Sequence, residues 1–298
     1  MNWMFFAILP YALFSATNFI EKFLIEKKIR YPSAMVILGG LLTFGLGVIL
    51  LALRRFHVLP GVQIVYLLVS GVLNALYLLP YFRALAYDDA SRVVPLFQFY
   101  PIFVLVISFL FFHERLTQSE LLGFVFVTVG GFLLGLEKVE KQFFRIKKSF
   151  WFMMLASFLY GMTGILFKFV TVSDYWLNMG YQSMGMGIGA MILCLYSPFR
   201  KEFVYEMKRM KLRVLHIVFW NIAIGTAADF LTFFAITLAP IALVTSMQGT
   251  QPVFLLLFGL ILTRFFPKII KEDVSRKTIL LKIVSMILLG IGIWWIYL

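Results

Sequence analysis

Long apolar runs, following one another with short charged breaks between them, constrain this chain more than any other feature. A helix that crosses the hydrocarbon core of a bilayer needs about 20 mostly apolar residues. Runs of that kind lie near residues 3–24, 33–53, 62–86, 92–112, 119–137, 150–171, 176–197, 213–237, 241–263 and 278–297. The breaks carry charge or proline: Lys27-Lys28-Ile29-Arg30-Tyr31-Pro32, Arg54-Arg55, Asp88-Asp89, His113-Glu114-Arg115, Lys147-Lys148, Pro198 with Arg200-Lys201, and Lys271-Glu272-Asp273. The break at Leu238-Ala239-Pro240 has no charge and predicts a very tight turn. Hydrophobic residues make up 62% of the 298 and charged residues 14%. A water-soluble globule still needs a polar skin and could not hide so much apolar surface, whereas a span in lipid can be apolar all round. Strands of a membrane barrel would read as alternating segments of about 10 residues, and these runs neither alternate nor stop so soon. The expected fold is an all-α integral membrane protein with ten transmembrane helices. The first run starts at once, without a basic leader or a small-residue cleavage pattern, and is read as a span rather than a removed signal.

The net charge of +13 would suggest nucleic acid on a soluble protein. Here the Lys and Arg lie mostly in short connections, so they are read as anchors against anionic headgroups, with membrane lipids and not nucleic acid as their partners. Cys194 is the one cysteine, which excludes an intrachain disulfide. His57, His113 and His216 lie at span ends without ligand spacing, so no metal site is expected. No stretch matches the phosphate-binding G-x-x-x-x-G-K-[ST] loop. No cofactor is expected.

The chain also repeats itself. Tyr81–Phe103 lies over Thr232–Phe254 without a gap: Ala84 meets Ala235, Val93 meets Val244, and Pro101-Ile102-Phe103 meets Pro252-Val253-Phe254. Lys22-Phe23 likewise falls over Lys168-Phe169, and Phe14 over Tyr160. Residues 1–140 and 148–298 then hold five spans each. Five is odd, so the second half would enter the membrane with opposite polarity, as two inverted five-helix repeats about an axis in the membrane plane.

At these residues the chain resembles the EamA-type transporters of the drug/metabolite transporter superfamily. The likeness rests on Ala84-Leu85-Ala86-Tyr87, Ala90-Ser91, Pro95, Pro101, His113-Glu114-Arg115-Leu116-Thr117, Leu121-Leu122-Gly123 and Gly130-Gly131, with Lys22 near the end of the first span. The second half departs from it: Thr263-Arg264-Phe265-Phe266 stands where the Glu-Arg pair would be, and a charged insert, Lys268–Lys277, follows. Arg83 and Asp88-Asp89 are also more charged than the pattern. The resemblance implies ten helices in two inverted halves. It further implies secondary transport, usually export of metabolites such as amino acids, through a cavity open to one side at a time.

Ionisable groups in hydrocarbon cost a few kcal/mol and therefore tend to face the bundle interior or to snorkel. Asp229, near the middle of the eighth run, is the leading candidate. It could exchange a coupling proton (H+), hold a substrate amine, or pair with a buried cation. Lys22 and Lys168 occupy matched positions and could hold a substrate carboxylate or phosphate, or snorkel to headgroups. Asn74, Asn221, Gln98, Gln248 and Gln251 lie inside spans, where amides either glue helices together or line a cavity. Gln248 and Gln251 flank Gly249-Thr250 before Pro252, where a bent helix would expose carbonyls. Tyr81 and Tyr160, with Tyr11, Phe14, Tyr77 and Tyr100, are aromatic candidates for a cavity wall. Gly131 and Gly135, and Gly185 and Gly189, have the small-xxx-small spacing of close helix contact. His113-Glu114-Arg115 lacks a second histidine and is read as cap and loop charge.

Lys and Arg concentrate in the connections after spans 1, 5, 7 and 9, which puts that side in the cytoplasm and both termini outside. The resemblance implies cytoplasmic termini instead, and the charge bias, being a property of this chain, is followed here. The resulting expectation is a secondary transporter, not an enzyme. It would act as an exporter of a small organic metabolite, amino acid-like or amphipathic, in the plasma (inner) membrane, as a monomer or a homodimer. A lipid or lipid-carrier flippase of the same fold is the alternative. A membrane enzyme acting on a lipid-linked substrate would need a carboxylate–histidine cluster, and Asp88-Asp89 has neither a histidine nor a third carboxylate near it.

Overall fold

Each long apolar run winds into a helix, and proline decides where the helices break. The computed structural model describes residues 3–87, 93, 95–136, 147–170, 174–265 and 276–298. Asp88-Asp89, Ala90-Ser91, Lys138, Lys141, Arg145, Phe266 and Lys268 to Ser275 of the charged insert lie outside the described residues. In chain order the helices are α1 (Trp3–Lys27), α2 (Ser33–Leu53), α3 (Gly61–Leu76), α4 (Leu78–Tyr87), α5 (Tyr100–Phe112), α6 (Gln118–Gly135) and α7 (Lys148–Lys168). They continue with α8 (Tyr175–Leu195), α9 (Ser197–Arg209), α10 (Leu212–Leu238), α11 (Ile241–Ser246), α12 (Gln251–Phe265) and α13 (Arg276–Tyr297). No strand occurs among the described residues.

Among the described residues eight segments are long and apolar enough to cross a membrane, and Phe97–Phe112 is apolar but shorter. The helix α8 is as long as the others, yet Asn178, Gln182, Ser183 and four glycines dilute it. It tolerates them because α2 and α3 pack along it and keep those groups from lipid. Counted with these two, the spans among the described residues number ten, as the run pattern predicts. The charged connection between α8 and α10 differs from expectation in being a helix, α9. Its Glu206 is buried and accepts hydrogen bonds from the N–H groups of Arg30 at 2.9 Å and Tyr31 at 3.1 Å. The helix thereby docks on the α1–α2 connection, while Lys201, Lys208 and Arg209 stay on the polar side.

The third span is α3 and α4 with a break at Tyr77. Pro80 has no N–H, so the carbonyl of Leu76 loses its helical partner there. The fourth span begins with a 3₁₀ turn, Phe97–Phe99, ahead of Pro101. The ninth is α11, a 3₁₀ turn over Met247–Thr250, and α12 with Pro252. These last two breaks stand at matched positions of the repeated stretch. Proline removes the carbonyl partner four residues back, Phe97 in one case and Gln248 in the other.

The packing pairs α2 with α8 and α6 with α13, and sets α1 along α10 and α7 against α3 and α4. Glycine makes the closest crossings. A Cβ at Gly131 would collide with the backbone of Gly249, and one at Gly185 with the backbone of Leu68. The broken ninth span therefore lies on α6 backbone to backbone, as does α3 on α8.

Candidate functional site

Two carboxylate–amide pairs face the interior between α1, α3 and α10. Asn74, almost fully buried one turn before the Tyr77 break, donates from Nδ2 to Asp229 Oδ2 at 3.3 Å. Asn221, also buried, donates from Nδ2 to Glu21 Oε1 at 3.3 Å. Asn221 and Asp229 are eight residues apart on α10, so the two pairs are stacked about 12 Å apart along the helix axis. Tyr77 lies within electrostatic reach of both Asp229 and Glu21. Tyr160 and Tyr175 also reach Asp229, and Tyr81 reaches Glu21.

The rings form a continuous wall. The centroids of Tyr77 and Tyr160 are 4.7 Å apart, those of Tyr100 and Tyr160 4.9 Å, and those of Phe97 and Tyr160 5.4 Å. Tyr81 joins through Phe97 at 6.2 Å. The breaks in the third and fourth spans place this wall: Tyr77 is the hinge residue of one, and Phe97 opens the 3₁₀ turn of the other. Such rings offer apolar area and a negative face to a bound cation. Among the described residues neither Glu21 nor Asp229 takes part in an ion pair. The pairs present there are Arg54 with Asp174 at 3.2 Å and Lys168 with Glu114 at 3.5 Å.

The remaining sequence candidates divide. Gln98 Nε2 donates to the Gln248 carbonyl at 3.4 Å, the carbonyl that Pro252 deprives of its helical donor. The Gln251 carbonyl accepts from Ser15 Oγ at 3.1 Å. These contacts tie the fourth and first spans to the broken ninth. Gln248 itself is buried and Gln251 half-buried. Lys22 is exposed, turned about 100° around α1 from Glu21 by one helical residue.

Lys168 serves as a tether. Its Nζ donates to the carbonyls of Ile236 and Ala239, each at 3.0 Å, and pairs with Glu114 Oε1. Glu114 Oε2 accepts from the N–H of Ile241 at 3.2 Å. One ion pair thus caps the C-terminus of α10 and the N-terminus of α11 on either side of the tight Ala239-Pro240 turn. The rest of the His113–Thr117 stretch is local structure. His113 ends α5 in the left-handed conformation, and Thr117 and Glu120 form a reciprocal capping box on α6. Among the described residues no group of three or more His, Cys, Asp or Glu could hold a metal ion.

Sequence reasoning missed Glu21 as a site residue, since a carboxylate beside Lys22 near a span end reads as a snorkelling pair. The available signal was Asn221, a polar residue in mid-span that needs a partner.

Residues 1–136 match the sequence model of the EamA-like transporter family. An uncharacterized transporter encoded in the cobO 3' region of a Sinorhizobium species is 37% identical over 76 residues, 26% of this chain. The match spans about half, 54%, of that relative's length. An uncharacterized protein of Methanocaldococcus jannaschii is 27% identical over 129 residues, which are 43% of this chain and 93% of that protein. A solved crystal structure superposes with a TM-score of 0.69 over 98% of this chain and 96% of its own, at 13% identity, a likeness of fold alone. Together with the apolar helices, these findings make this a multi-pass, all-α membrane protein whose residues 1–136 are similar to the EamA-like transporter family.

Proposed function

We propose that the chain is a secondary transporter that exports a small organic metabolite by alternating access, with residues 1–140 and 148–298 as two inverted halves and no covalent chemistry. The observation that carries this reading is the Asn74–Asp229 hydrogen bond. It joins a first-half helix to a second-half helix at mid-span, inside a wall of tyrosines. Charge in hydrocarbon is costly, and it marks a pathway by default.

Two further observations support the halves as moving units. The crossing of α3 on α8 is closed backbone to backbone at Gly185, whereas in its repeat counterpart, α10 against α2, a Cβ added at Gly39 would meet the Ile222 side chain at an ordinary 3.7 Å. Two packings of equivalent crossings are what a rocking transporter shows when one gate is shut. The M. jannaschii relative also corresponds to less than half of this chain. The Lys/Arg bias supports a reading in which the basic face, with α9 and the α1–α2 connection, lies on the cytoplasmic side of the plasma membrane.

The test loads proteoliposomes with a metabolite extract and follows release by mass spectrometry. The wild type is expected to release a restricted set that empty liposomes retain, and Asp229→Asn to lose at least most of that release. Equal release from both proteins would overturn the Asp229 role.

A shallow apolar groove of about 290 Å³ between α1, α12 and α13, lined by Ile8, Val253, Phe254 and Met286 among others, favours a lipid-carrier flippase as the second reading. Translocation of a fluorescent lipid with no metabolite release would decide for it.

A further inference from the structure

We propose that Glu21 and Asn221 form a second station for an organic ammonium group on the path through Asp229, so that the exported substrate is an amine-bearing amphipathic cation. The inference rests on the transport reading above and names its substrate class.

The argument is one of unmatched acceptors. Glu21 takes one hydrogen bond from Asn221 and has no ion pair among the described residues. Asn221 is 4% exposed, and its buried Oδ1 has no hydrogen-bond partner among the described residues. A buried amide oxygen left without a donor is uncommon, because its desolvation is not offset. One N–H of its own Nδ2 goes to Glu21, so the unmatched Oδ1 and the carboxylate oxygens belong to one cluster in which acceptors outnumber donors. Asp229, about two helical turns away, presents a second carboxylate on the same footing. What satisfies such a set is a donor-only positive group. A primary ammonium has three donors and no acceptor.

The surrounding rings specify the rest of the ligand. Tyr77 interacts electrostatically with both carboxylates and packs into the wall against Tyr160, while Tyr81 interacts electrostatically with Glu21. An aromatic or alkyl body can lie on that wall while the cation faces a carboxylate, and ring faces attract the cation itself. A substrate anion would meet acceptors at both stations. The lysines at the matched repeat positions are turned elsewhere: Lys22 is exposed and Lys168 is engaged at the α10–α11 turn. The two stations stand at different depths, so the ammonium can be handed from one to the other without both being filled.

The test uses the full-length protein in nanodiscs and three probes of like shape: phenethylamine, phenethyl alcohol and phenylpropionate. Binding is measured by equilibrium dialysis, together with the shift in melting temperature. The wild type should bind the amine at least tenfold more tightly than the alcohol or the acid. Glu21→Gln should weaken the amine about tenfold without abolishing it, and Glu21→Asp should recover part of the loss. If the wild type prefers the alcohol or the acid, or binds no probe, the amine class is wrong. If Glu21→Gln binds the amine as the wild type does, the second station is wrong. Should Glu21→Gln not fold, the wild-type comparison and Asn221→Leu, which removes the unmatched oxygen, decide in the same way. Asp229-dependent metabolite release that persists beside either failure would leave the transport reading standing and overturn this inference alone.

Discussion

Replacing Lys168 by methionine separates a tether from a substrate site. Methionine keeps the stem and its packing and removes only the ammonium. That ammonium lies 3.0 Å from two backbone carbonyls and 3.5 Å from Glu114, with the two side chains 19% and 15% exposed. Its loss leaves a mostly buried carboxylate with no counter-ion and two carbonyls at the α10 terminus short of a donor. Breaking one side of a buried pair costs about 3–5 kcal/mol, and partial exposure argues for the lower end. For a chain of this size, about 3 kcal/mol corresponds to a melting temperature lowered by roughly 6–9 °C. Glu114→Gln should cost less, because the amide oxygen can still accept from Ile241 N–H. Combined with Lys168→Met it should show a coupling of about 2 kcal/mol, since residues in one network are not additive. The assay is the intrinsic fluorescence melt of all four proteins, with amine binding measured on the same samples. The expected pattern is lower stability with unchanged affinity. A Lys168→Met protein that melts with the wild type but no longer binds would refute the tether and return Lys168 to the substrate site.

Two more outcomes follow from the packing and the charge distribution. Gly131→Ala should lower the melting temperature more than Gly45→Ala does, because a methyl at 131 drives into the Gly249 backbone whereas none of the neighbours of Gly45 is within contact distance; equal melts would show that the crossing gives way freely. A reporter enzyme that is active only in the cytoplasm should be silent when fused after Leu298 and active when inserted in the Arg209–Lys211 connection, following the positive-charge bias. The reverse pattern would turn the protein over in the membrane.

Much of the architecture was legible from local pattern. Run length predicted the spans, because a bilayer has one thickness and a helix one rise per residue. Ser33–Leu53 is read identically in sequence and structure. Proline predicted the broken ninth span, because a missing N–H is a local fact. The α9 helix was hidden because its short amphipathic pattern sits in a charged connection, where hydropathy over twenty residues sees only polarity.

The sequence by itself determined that this chain lives in lipid as about ten helices and that Asp229 is a charge out of place. Only the tertiary structure decided which charges face one another. Lys22 and Lys168 match in the repeat, yet one is exposed and the other clasps the α10–α11 turn, while Glu21 finds Asn221 two hundred residues away. Pairing is a property of helix rotation and crossing. Those are set by the glycine contacts between distant helices, which no window along the chain contains.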